Sequence, residues 1–238
     1  MKLFTKTVFV IISVTLLSYG VLASNNSLIN YNSIKGQNLL SQSLSHNFLM
    51  LSQNYETQAN RRYCAVASAV ITLNSLMKDR GPVDPHYAPF KYFTQTDIFT
   101  PAVLKITTPA DIYSNGLTLD QEAKVLKTFG VNVKIYHAGN ITSEKAGDII
   151  KSAIHKSNTY VIANILQPSM SPNIPGGGHF SPLAAYNIKE NKVLFLDVAR
   201  YEHGPYWISM STLYNQMNTI DGTSKVTRGF LVVSNNKK

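Results

Sequence analysis

The chain has 238 residues, 44% of them hydrophobic and 15% charged, with its 13 glycines and 10 prolines scattered rather than clustered. Such a length leads one to expect one domain, and the composition excludes a disordered or fibrous chain. The formal charge of +9 favours anionic small molecules or surfaces as partners; the basic residues are dispersed, without a long run or a basic–aromatic stripe, which argues against nucleic acid.

The N-terminal stretch "MKLFTKTVFVIISVTLLSYGVLAS" sets Lys2 and Lys6 before an apolar run from Val8 to Leu17, and small residues follow up to Ala23. This reads as a secretory signal peptide over residues 1–23, since Ser13, Thr15 and Ser18 interrupt a run that a membrane anchor would need to keep apolar for about 20 residues. Residues 24–238 are then expected to form a single domain, exported to a periplasm or secreted, with no membrane span left. The polar stretch "SNNSLINYNSIKGQ" reads as loosely held, and "LLSQSLSHNFLMLSQNYETQ" carries apolar residues at near-helical spacing. From Ala65 to Met77 the apolar positions recur at three and four, and "KDRGP" predicts a stop with a basic last turn. Prolines break residues 79–117 into loops around short helices. "TLDQEAKVLKTFG" predicts a capped helix ending at Gly130, "VNVKIYHA" a strand, and "TSEKAGDIIKSAIHKS" a helix. In the last third, "TYVIANIL", "HFSPLAAYNI", "KENKVLFLDVARY" and "RGFLVVS" read as strands, the middle two joined by a polar turn at Lys189–Lys192, with a short helix near "STLYNQMN". Helices first and adjacent strands later predict an α+β fold with a mainly antiparallel sheet.

Cys64 is the only cysteine, so an internal disulfide is excluded and the fold must hold through its core. Its place at the start of a predicted helix suits a nucleophile, because helix N-terminal amides and the dipole lower a thiol pKa. A buried cysteine acting as a small hydrophobe is the plainer alternative. A nucleophile also needs a base and a group to orient it. His179 follows three glycines at a predicted strand start, and Asp197 interrupts the apolar run "VLFLDVA" eighteen residues later on the neighbouring strand. A carboxylate there is costly unless paired, so a His179–Asp197 bond across a hairpin accounts for both. Gln58, six residues before Cys64, is either a loop residue or an amide donor that shares oxyanion stabilisation with the Cys64 N–H.

Three stretches, "TQANRRYCAVASAVITLNSL", "GGGHFSPLAAYN" and "VLFLDVARYEHGPYWI", together resemble the catalytic domain of phytochelatin synthases, in the papain-like cysteine-protease group. The resemblance covers roughly Leu39 to Val233. It implies a papain-like fold, with an N-terminal helical part carrying the nucleophile and a mainly antiparallel sheet carrying the histidine and aspartate. It implies that Cys64 attacks the Cys–Gly bond of glutathione, releasing glycine and leaving a γ-glutamylcysteinyl thioester for water or a second glutathione. His179 would be the base and later the acid, Asp197 its orienter, and Gln58 with the Cys64 amide the oxyanion hole. The family's acyl pocket is best matched by Asn164, Gly178, Asp221 and Arg228, and Arg200 would bind a substrate carboxylate. Taken alone, Arg228 could equally be a surface charge and Asp221, in "DGT", a turn residue.

Ala65 stands where the family commonly has glycine. The sequence carries no cysteine-rich segment after the matched region, and the resemblance implies that such short forms tend toward hydrolysis with weak polymer synthesis, so hydrolysis is expected here, without metal sensing by protein cysteines. No protein-bound cofactor or metal is expected: His46, His86, His137, His155 and His203 show no ligand spacing. Any metal dependence would come through a metal–glutathione thiolate complex offered as acceptor. Oligomeric state, a homodimer included, stays open. The alternatives are a papain-like peptidase acting on other peptides and a non-catalytic binder of thiol peptides, the latter having no need of all four of Gln58, Cys64, His179 and Asp197.

Overall fold

The computed structural model describes residues 28–43, 46–78, 80–83, 85, 87–169 and 176–235. The expected signal peptide at 1–23 lies outside the described residues. In chain order the elements are β1 (Ile29–Asn30), α1 (Ile34–Ser41), α2 (His46–Gln53), α3 (Cys64–Leu76), α4 (Pro101–Leu104), α5 (Pro109–Asn115), α6 (Leu119–Lys127), β2 (Val131–His137), α7 (Ser143–His155), β3 (Thr159–Gln167), β4 (Gly177–Asn187), β5 (Lys192–Phe195), β6 (Tyr206–Ser209), α8 (Met210–Met217) and β7 (Gly229–Asn235). The fold is α+β, as expected.

Local chemistry explains most helix starts. Thr118 accepts from the Gln121 N–H while the Gln121 side chain accepts from the Thr118 N–H at 2.9 Å, a capping box that begins α6. Thr142 caps α7 in the simpler way, through the Lys145 N–H. Helix α3 is different: Tyr63 precedes it and makes no side-chain cap bond. Its N-terminal amides are thus left for whatever lies at Cys64.

Seven strands form one sheet in the order β1-β6-β5-β4-β3-β7-β2, every pairing antiparallel. Two cores sandwich it. Along β3, Tyr160 and Ile162 join the core built with α3, while Val161, Ala163 and Ile165 join the core built with α7 and α8. With both faces covered, β3 and β4 have no solvated side to display, which is why they read as largely apolar runs, broken by the buried polar residues Asn164, His179 and Ser181. All thirteen residues of α3 are buried, so this helix lies inside the molecule rather than on it.

Some expectations need correction. The stretch around Ile29 and Ile34 is not loose: β1 pairs with β6, and α1 begins at Ile34 with Ser33 as its cap. The helical reading of residues 39–58 is interrupted between α1 and α2. Helix α3 has no basic last turn, because it ends at Leu76, with the Met77 N–H on the Leu73 carbonyl, before Lys78 is reached. Strand β6 went unread, its four residues being too few for a period to show. Asp197 lies just past the end of β5, not within the strand. Tertiary bonding therefore holds it, not sheet pairing.

Candidate active site

Cys64 opens α3 and is 8% exposed. Two constraints bring it to the sheet: α3 packs on β4, and β4 carries His179 as its third residue. The Cys64 thiol hydrogen-bonds to His179 and to the backbone N–H groups of Phe180 and Ala65. The His179 Nε2 donates to Asp197 Oδ1 at 2.8 Å, which leaves Nδ1 as the ring nitrogen for the thiol. Burial opposes ionisation of Cys64, but the imidazole and the two amides outweigh it and hold the thiol pKa below its ordinary value. On His179, burial also disfavours charge, yet Asp197 and Cys64 push its pKa up to about 10. The geometry therefore favours a thiolate–imidazolium pair at neutral pH.

Asp197 is fully buried and its carboxylate is satisfied on both oxygens. Oδ1 accepts from His179 and from the Ala199 N–H at 2.8 Å, and Oδ2 accepts from Gln167 Nε2 at 2.6 Å. Burial pushes its pKa up, but these donors win and hold it below the usual carboxylate range. The Tyr55 hydroxyl donates to the Asp197 carbonyl, tethering the irregular backbone there. Ser181 Oγ sits 3.2 Å from His179 Nε2 and accepts from the Val198 N–H at 3.2 Å, linking the histidine strand to the aspartate segment. Gln167, Ser181 and Tyr55 escaped sequence reasoning. The one available signal was Gln167, a polar residue closing the apolar run of β3.

Gln58 is buried; its backbone N–H donates to the Val198 carbonyl at 3.0 Å and its side-chain Nε2 to the Tyr201 hydroxyl at 2.7 Å. Both Gln58 and Tyr201 line a cleft of about 820 Å³ whose floor includes His179 and whose walls include Gly178, Arg61, Arg62 and Glu202. That volume suits a short peptide.

Three of the other sequence candidates converge. Arg228 packs flat against Gly178, so close that a Cβ there would lie 3.4 Å from its Nη2. The same guanidinium meets Asp221 at 3.6 Å and donates to the Ile220 carbonyl at 2.7 Å. Asn164, on β3, pairs opposite Phe180 on one side and Gly229 on the other, so it sits between the strand that carries His179 and the strand that Arg228 leads into. Asn164 Oδ1 and Arg228 Nε are both buried without a partner among the described residues. Arg200 is set apart: its guanidinium lies over the Tyr55 ring at 5.0 Å and it is absent from the cleft lining. Of the remaining histidines, His137 is pinned between Asp120 and the Thr227 carbonyl and His46 meets Ser157, while His86 lies outside the described residues. Among the described residues no group of side chains is arranged to hold a metal ion, and no helix is long and apolar enough to cross a membrane.

A thiolate backed by imidazole and a buried carboxylate, opening on a peptide-sized cleft, is chemistry of the cysteine-nucleophile class: acyl transfer through a thioester. A family model for phytochelatin synthase matches residues 21–230, and the chain belongs to that family. It is 28% identical over 200 residues, 84% of its length, to glutathione gamma-glutamylcysteinyltransferase 3 of Lotus japonicus. It is 24% identical over 194 residues, 82% of its length, to the glutathione gamma-glutamylcysteinyltransferase of Schizosaccharomyces pombe. The chain spans 40% of the first relative and 45% of the second. Among solved structures it is similar to xylellain, a cysteine protease from Xylella fastidiosa, at 10% identity and a TM-score of 0.45, over 88% of this chain and 92% of that one.

Proposed function

We propose that the protein cleaves the Cys–Gly bond of glutathione through a γ-glutamylcysteinyl thioester on Cys64, passing the acyl group to water or to a second glutathione. The observation that carries this reading is the hydrogen-bonded Cys64–His179–Asp197 line at a peptide-sized cleft, in a chain of the phytochelatin synthase family. The Cys64 thiolate attacks the cysteinyl carbonyl, and the oxyanion is met by the uncapped N-terminus of α3 and by Gln58, whose amide turns from Tyr201. Imidazolium His179 gives its proton to the departing glycine amine. Neutral His179 then takes a proton from the incoming water or amine, and the thioester collapses to γ-glutamylcysteine or a longer thiol peptide, freeing Cys64.

The acyl group would rest against Gly178 and the Arg228 guanidinium; Arg228 Nε and, on the neighbouring strand, Asn164 Oδ1 have no partner among the described residues and would be offered to substrate. Asp221 would take the γ-glutamyl ammonium and Arg228 the α-carboxylate beside it, a division that suits their charges. Arg200 is a weaker candidate for a carboxylate, since its cation already lies on Tyr55. Metal–glutathione complexes would act as acceptors only, which added Cd²⁺ or Zn²⁺ tests by product yield. Export is supported by the basic, apolar and small-residue order of residues 1–23; the mass of the protein recovered from its host reads whether that segment is removed.

The decisive experiment is mass spectrometry of wild type and Cys64→Ser incubated with glutathione. Wild type is expected to release glycine with a transient 64-thioester adduct, and the serine variant to do neither. Glutathione left intact by both proteins would return the reading to a peptidase of other substrates or to a binding protein.

A further inference from the structure

Two arginines occupy the turn directly before the nucleophile. Asn60 builds this turn: its Oδ1 accepts from the Arg62 N–H at 2.9 Å and its carbonyl from the Tyr63 N–H at 3.1 Å. Arg61 and Arg62 are thereby held on the wall of the cleft that contains His179, three and two residues before Cys64. Neither side chain is buried, so they serve no packing purpose. Glu202 is the sole carboxylate among the described residues lining the cleft, and it stands 4.0 Å from Arg61. Arg62 has no carboxylate partner among the described residues. The wall therefore carries an excess of positive charge in the cleft that His179 lines, separate from the buried Arg228–Asp221 pair.

We infer that Arg62, assisted by Arg61, is a specificity determinant that recognises the free C-terminal carboxylate of the leaving residue, so that the enzyme selects peptides ending one residue beyond the scissile bond. This rests on the functional reading above and adds to it a rule for the substrate. The amine that His179 protonates must lie within reach of the imidazole, and a carboxylate one carbon beyond that amine enters the same part of the cleft. An arginine suits that group through paired N–H donors, where a lysine offers only a point charge. Arg61 is the lesser partner because Glu202 already offsets its charge.

The test compares initial rates of glycine release from glutathione with glycinamide release from its C-terminal amide, for wild type, Arg62→Ala, Arg62→Lys and Arg61→Ala. Wild type is expected to prefer the free acid. Arg62→Ala should lower that preference about fivefold, through KM rather than kcat, as loss of one partly screened ion pair allows. Arg62→Lys should keep part of it, and Arg61→Ala should shift it less than Arg62→Ala. Equal rates on both substrates in wild type, or an unchanged preference in Arg62→Ala, would overturn the inference; so would equal loss on both substrates, which marks a structural role. A wild type that cleaves neither compound removes the glutathione reading itself, and this rule falls with it.

Discussion

Asp197→Asn is nearly isosteric, yet the site has no room for an amide. Both carboxylate oxygens only accept: Oδ1 from His179 Nε2 and the Ala199 N–H, Oδ2 from Gln167 Nε2. If the asparagine carbonyl takes the Oδ1 place, its NH₂ confronts the Gln167 donor at the former 2.6 Å contact. If the amide is flipped, the NH₂ confronts the Ala199 N–H and forces the other tautomer on His179, with its proton toward Cys64. Either way a charge-assisted bond is lost and a buried donor is left unpaired, a change worth about 1.5–3 kcal/mol. At about 1.4 kcal/mol per factor of ten, kcat/KM for glycine release should fall roughly 10- to 150-fold. The cause can be read separately by following alkylation of Cys64 with iodoacetamide against pH. In wild type the thiol pKa is held below its ordinary value, because His179, with a pKa pushed up to about 10, stays cationic beside it. Without the Asp197 charge the His179 pKa drops, burial of the thiol is no longer offset, and the alkylation midpoint moves to higher pH. A midpoint that stays in place or moves down would refute the reasoning, whatever the loss of rate.

Two further perturbations follow from buried polar groups. Gln167→Leu removes the donor to Asp197 Oδ2 but leaves the carboxylate charge beside His179, so it should lower kcat by a smaller amount, about 1–2 kcal/mol in transition-state stabilisation, without the upward shift of the alkylation midpoint expected of Asp197→Asn; an upward shift equal to that of Asp197→Asn would contradict this. Glu122, fully buried in α6 with neither carboxylate oxygen partnered among the described residues, has its pKa raised well above the usual range by burial first and by Cys64 second. Its folded pKa exceeds its unfolded one, so the native state holds a proton that the unfolded chain releases. Stability should thus fall as pH rises from about 4.5 toward the folded pKa, by up to about 1.4 kcal/mol per pH unit. Glu122→Gln should abolish that slope, and Tm measured from pH 4 to 8 should show the variant gaining on wild type as pH rises; parallel curves would exclude a neutral Glu122.

Much of this protein was determined by short stretches of its own chain. The starts of α6 and α7 are written in Thr118, Gln121 and Thr142, whose side chains bond amides three residues away. The position of Cys64 at the head of α3 is equally local, as is the β character of residues 159–167 and 229–235. The candidates Cys64, His179 and Asp197 were legible because reactive residue types stood where apolar ones were expected. What only the tertiary structure decided is the set of contacts that makes those residues a site. Asp197 is held by Gln167 thirty residues earlier and by Tyr55 at a separation of 142, on a segment without strand pairing of its own. Gly178 and Arg228 meet, with Asn164 on the strand between them, because β3 lies between β4 and β7, a strand order unrelated to their order in the chain. Arg200, next to the motif that contains Asp197, was drawn instead onto Tyr55. The physical reason is one of range: capping and periodicity act over three or four residues and can be read along the chain. Hydrogen bonds to a buried carboxylate depend on which distant segments the two cores press against the sheet.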